Sequence, residues 1–89
     1  MTLEFPNTSR NFEAEKNRVR FWGYDGAIEI TFYIGADSLK RFDPEVSNSE
    51  LLVLKAFDAD LELIHQAAVR VYGHGRKRAY AYSLKTEDF

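Results

Sequence analysis

The chain contains no cysteine, and only two prolines and two histidines, among 89 residues. The missing cysteines remove disulfides, thiolate nucleophiles and thiolate metal ligands together, and they fit a reducing compartment. With only His65 and His74, a serine or cysteine triad has little to draw on. Phosphate-cradling and dinucleotide-binding glycine patterns are absent too. No apolar run approaches the roughly 20 residues that cross a bilayer. The opening "MTLEFPNTSR" places an acid before its first base and has no apolar stretch of signal length. Charge of one sign is also lacking: 12 Lys and Arg against 14 Asp and Glu give a net charge of −2. No global field therefore recruits nucleic acid or an anionic membrane. These absences lead us to expect a cytoplasmic protein with no membrane association, metal, cofactor or small-molecule ligand, and with no enzymatic activity.

What the chain does have is apolar and aromatic side chains, at 45% and 15% of residues. That suffices for one folded domain spanning residues 1–89. A chain of this size buries roughly 60–65% of its unfolded surface, which allows one modest core. The most legible stretch is "RVRFWGYDGAIEITFYI", residues 18–34. Asp25-Gly26 is a two-residue hairpin signal. With those two as the loop, Trp22 faces Glu29, Phe21 faces Ile30, Arg20 faces Thr31 and Val19 faces Phe32. Val19, Phe21, Ile28, Ile30, Phe32 and Ile34 then share one face, and Arg18, Arg20, Trp22, Glu29, Thr31 and Tyr33 the other. Leu3 to Phe5 reads as a short strand, 7–17 as a polar connection anchored by Phe12, and 35–42 as a short helix with Leu39 and Phe42 inward. Residues 78–84 alternate as a last strand, with Tyr80, Tyr82 and Leu84 on one side.

Between them, "SNSELLVLKAFDADLELIHQAAVRVYG" carries the punctuation of a long helix. Ser47 to Glu50 forms a capping box with Ser47 as N-cap, and Val46 and Leu51 a hydrophobic staple. Leu54, Phe57, Leu61, Ile64, Ala68 and Val71 make one apolar stripe, and Gly73 is a C-cap. The helix would span about 48–72, roughly 37 Å, long enough to bend near Asp58-Ala59-Asp60. A second stripe, Leu52, Ala56, Ala59, Leu63 and Ala67, lies on the opposite side and needs a cover. The short helix at 36–42 and a second copy of the chain are equal candidates for it.

Motifs for chemistry are thin. Glu62-x-x-His65 has the spacing of di-iron bundles, but those need two such motifs on facing helices. It reads as a histidine at the core edge beside a local partner. Asp58 and Glu62, four apart, read as a solvated helix face. Arg76-Lys77-Arg78 suits the end of a helix dipole. Joined to Arg18, Arg20, Trp22 and Tyr33, it also reads as a stacking-and-charge platform for single-stranded nucleic acid. Glu29 interrupts that platform and the chain is acidic overall, so nucleic acid is possible but not favoured.

The segments "FPNTSR", "RVRFWGYDGAIEITFYI", "DSLKRF" and "LLVLKAFDADLELIHQAAVRVY" resemble domain-of-unknown-function family 1488, over nearly the whole chain. The resemblance implies a bacterial, cytoplasmic, stand-alone α+β domain. It brings no activity, cofactor or catalytic residue. The resulting expectation is an α+β fold: a mostly antiparallel sheet of three or four strands, with one long and one short helix packed on one face. The leading functional expectation is a non-enzymatic interaction module that forms a homodimer. Its candidate surface is Arg18, Arg20, Trp22, Tyr33, Arg76 and Arg78 on the sheet side, and Leu52, Ala56, Ala59 and Leu63 on the helix side. The helix side is the better candidate, because Ala56 and Ala59 would let a partner helix approach closely while Arg18, Arg20 and Glu29 break up the sheet face. A nucleic-acid-binding accessory protein stands second, and a small enzyme third.

Overall fold

Alternation of apolar and polar residues at 18–25 and 28–35 builds the central pair of the fold, β3 (Arg18–Asp25) and β4 (Ile28–Gly35). The computed structural model describes residues 3–6, 10–40, 49–74, 81–85 and 88. Around this hairpin lie β1 (Leu3–Glu4), β2 (Arg10–Glu13), α1 (Ala36–Leu39), α2 (Glu50–Ala59), α3 (Leu61–His74) and β5 (Ala81–Leu84). The class is α+β with a mostly antiparallel sheet, as expected. Among the described residues the sheet holds five strands. β1 and β2 both pair antiparallel with β3, against opposite ends of the same edge, while β5 pairs parallel with β4. The fifth strand comes from the stretch read as a polar connection. Its Phe12 is the expected anchor, partly buried against the core.

The faces of the hairpin sort as expected, but the register does not. Phe21 lies opposite Phe32, Val19 opposite Ile34, Trp22 opposite Thr31, and Tyr24, not Trp22, opposite Glu29. The loop is Gly26-Ala27, and Gly26 has φ 62°. A loop with positive φ only at its first residue places glycine there and spares Asp25 the left-handed conformation. The shift is two residues, which preserves every inward and outward assignment. Ile28 points to the core side yet is 52% exposed, because it sits at the end of the ladder beside the turn.

The expected long helix is interrupted at Asp60 (φ −111°). Asp60 donates its amide to the Ala56 carbonyl and accepts from the Ile64 amide with its own. It thus closes α2 and opens α3, a position aspartate favours. The start also differs: Ser49, not Ser47, is the extended N-cap, and its carbonyl accepts from Val53 N at 2.9 Å. Leu51 is 77% exposed and forms no part of the core. Val46 and Ser47, like Phe42 and Tyr80, lie outside the described residues.

The buried arc of α2 and α3 is Val53, Ala56, Phe57, Ile64, Ala67, Ala68 and Tyr72. Leu54, Leu61 and Val71 flank it, partly buried. The arc is thus turned toward Ala56 and Ala67, whose small side chains let the helices sit close to the sheet. Against it lie Val19, Phe21, Ile30, Phe32, Ile34, Leu39 and Leu84 in a single core cluster. At its centre Phe21 contacts Phe32 at 5.4 Å and Phe57 at 5.2 Å between ring centroids. Both are within the spacing of favourable aromatic pairs.

Candidate functional site

The outward side chains of β2, β3 and β4 form a layer that no described helix covers. Arg18 and Tyr33 are diagonal neighbours across the β3–β4 ladder, within reach of long side chains. The Arg18 guanidinium lies 3.6 Å from the Tyr33 ring centroid. Two residues along the strand, Arg20 stands 5.2 Å from the Trp22 ring. Both distances fall within cation–π range. Each arginine also has an acid: Arg18 Nε donates to Glu13 at 2.5 Å, and Arg20 lies 4.0 Å from Glu29. The result is a half-buried, charge-balanced layer in which guanidinium groups occupy ring faces.

The structure therefore brings Arg18, Arg20, Trp22 and Tyr33 together. Arg76 and Arg78 lie outside the described residues. The helix-side stripe does not survive as expected. Ala56 is only 2% exposed and Ala67 is fully buried, so both belong to the core. Leu52 and Leu63 remain 42% and 47% exposed, and Ala59 is exposed between them. α1 packs against α2 and β4 but leaves those leucines uncovered. The rotation of the buried arc is the physical reason: it takes the close-approach alanines away from any partner helix.

A second feature lies along α3 and the C-terminal end of α2. Asp58, Glu62 and His65 line an open groove of about 890 Å³ with Phe5, Leu61, Val69 and Arg70. Asp58 is already engaged by Arg10, which donates Nε and a terminal nitrogen to its two carboxylate oxygens at 2.9 and 2.8 Å. His65 stacks flat on Phe5, with centroids 3.9 Å apart and planes 4° apart. Burial lowers its pKa from the ordinary histidine value. The histidine is at the core edge, as its wheel position implies, but its partner is an aromatic ring from β1's end rather than Glu62. Among the described residues no cluster of His, Asp and Glu has the arrangement of a metal site.

Sequence reasoning did not find one polar contact. The Tyr72 hydroxyl donates to an Asp25 carboxylate oxygen at 2.5 Å, tying α3 to the hairpin tip. That hydrogen bond, then burial, pushes the Tyr72 pKa up to about 12 from the usual 10. The bond needs the protonated phenol. Its contribution to stability is complete below pH 10 and fades as pH rises from 10 toward 12. Tyr72→Phe should flatten that part of the stability–pH profile in denaturant titrations. An unchanged alkaline limb would show that the bond does not couple to folding.

A family model described as "Protein of unknown function (DUF1488)" matches residues 3–84. The chain belongs to the DUF1488 family. The crystal structure of a DUF1488 protein of unknown function from Shewanella loihica PV-4 superimposes with a TM-score of 0.80. The alignment covers 93% of this chain and 91% of that one at 15% identity, a level at which the likeness speaks for the fold. No curated protein matches the chain. Among the described residues no helix is long and apolar enough to cross a membrane.

Proposed function

We propose that this DUF1488 protein is a non-enzymatic interaction module that self-associates through the outer face of its sheet. The observation that carries the reading is the pair of stacks, Arg18 on Tyr33 and Arg20 on Trp22, on a face that no described helix covers. Arginine, tyrosine and tryptophan are the residues that concentrate binding energy at protein interfaces. A two-fold dimer presents the same patch to itself. A patch whose arginines are balanced by Glu13 and Glu29 can do so without net repulsion. The same balance weighs against single-stranded nucleic acid, which needs free ring faces and uncompensated cations. The helix side is the weaker surface, because Ala56 lies in the core.

Sedimentation equilibrium at micromolar concentration should give the dimer mass. Trp22→Ala should weaken association about thirtyfold, as expected for a hot spot of about 2 kcal/mol, with an unchanged circular dichroism spectrum. Leu63→Glu should leave the dimer intact. A monomer mass for the unaltered protein would end the self-association reading. A salt-dependent mobility shift on a single-stranded oligonucleotide would transfer the sheet face to nucleic acid.

A further inference from the structure

We propose that β1 is a latch, closed by the Phe5–His65 stack and opened when His65 takes up a proton. β1 is two residues long, and its ladder is Leu3 opposite Asp25 and Glu4 opposite Tyr24. Two residue pairs hold an end strand weakly, so a side chain must supplement them. Phe5 does so. Its ring lies over Gly23, close enough that a Cβ there would come within 2.8 Å of the ring. It meets Phe21 and Phe32 at about 6 Å and lies flat against His65, which itself stands 5.9 Å from Phe21. The imidazole thus ties the Phe5 ring to α3 at the edge of the core, touching Phe21 as well, and the groove opens beside it.

Burial in that position costs a charged imidazolium more hydration than it costs the neutral ring. Withdrawal of Phe5 returns water to His65, so protonation and opening favour each other. The burial-lowered pKa of His65 has the sign this linkage requires. The charged groups that line the groove with the imidazole are Glu62 and Arg70 on α3, and Asp58 on α2, which is paired with Arg10 of β2. Glu4 precedes Phe5 on β1, while β3 and β4 meet the stack with the uncharged Phe21 and Phe32. Asp58 is compensated by Arg10, and Glu62 and Arg70 oppose each other in sign. Desolvation therefore decides the direction. Opening would extend the groove into the space Phe5 occupies and free the Tyr24–Asp25 edge of β3. This inference is independent of how the sheet face is used.

Amide hydrogen exchange and histidine NMR on the full chain test it. Between pH 7.5 and 5.5, protection of the β1–β3 amides, corrected for the intrinsic rate, should fall several-fold while the β3–β4 amides keep theirs. In His65→Phe, which retains a stacking ring but cannot titrate, that fall should vanish. In Phe5→Ala the His65 titration midpoint should move up toward 6.5. Protection that ignores pH in the unaltered chain, an equal fall in His65→Phe, or a His65 midpoint unmoved by Phe5→Ala would each overturn the latch.

Discussion

Phe57→Ala is expected to cost about 3–5 kcal/mol, the range for deleting a buried phenylalanine. A chain of 89 residues has roughly 4–13 kcal/mol of stability in total, so the variant should sit near or beyond the edge of folding at room temperature. The size of the effect follows from position. Phe57 is fully buried and is the side chain of α2 that meets Phe21, at 5.2 Å and an interplanar angle of 58°. Phe21 in turn stacks on Phe32 across the central hairpin. Removing the Phe57 ring leaves a void between sheet and helix layers that Val53 and Ile64, already packed in the same cluster, cannot fill without moving the helices. Phe57→Leu keeps most of the volume and should cost less than about 1.5 kcal/mol. The comparison is read from denaturant midpoints at unchanged slope. Equal losses for the two variants would mean that the ring's shape, and not the void, sets the cost.

Much of this architecture was legible because period and punctuation agreed. Alternation at 18–34 assigned every hairpin residue to its face, and the break in the helix fell at the Asp-Ala-Asp step. The missed features share a cause: period alone does not set phase. Registers two residues apart put the same side chains on the same face. Only the turn conformation, with glycine taking the single positive φ, selects Val19 opposite Ile34. In the helices, apolar residues stand nearly all round α2, so two stripes were readable and the boundary alanines could be assigned to either. Ala56 and Ala67 went to the core because small side chains allow close packing there. β2 was invisible because Arg-Asn-Phe-Glu carries little strand propensity, and it is a strand because the edge of β3 offers it a ladder.

The candidate sites divide the same way. Arg18, Arg20, Trp22 and Tyr33 could be brought together from parity alone, and they are together. The stacks themselves depend on which diagonal neighbours the register supplies. The Phe5–His65 stack and the Tyr72–Asp25 bond join residues 60 and 47 positions apart, and no local pattern encodes such pairs. Gly23 was the available signal for the first of them. A glycine within an otherwise alternating β-branched and aromatic strand marks a place where something approaches closely.

That glycine carries the second large effect. Gly23→Ala is expected to destabilise the domain by about 1–3 kcal/mol, the range for overpacking a filled site. A Cβ at this position would stand 2.8 Å from the Glu4 carbonyl oxygen and 2.8 Å from the Phe5 ring. The ring can shift, but the oxygen is backbone of β1, and clearing it means moving the strand off β3. Phe5→Ala in the same chain should therefore not restore the loss, since the clash with the oxygen remains. Gly35→Ala is the control: nothing lies within 4 Å of its Cβ position and its φ is −71°. It should change stability by no more than about 0.5 kcal/mol. A denaturant midpoint for Gly23→Ala equal to that of Gly35→Ala would show that β1 yields at no cost, and that the first strand contributes nothing to the stability of the sheet it borders.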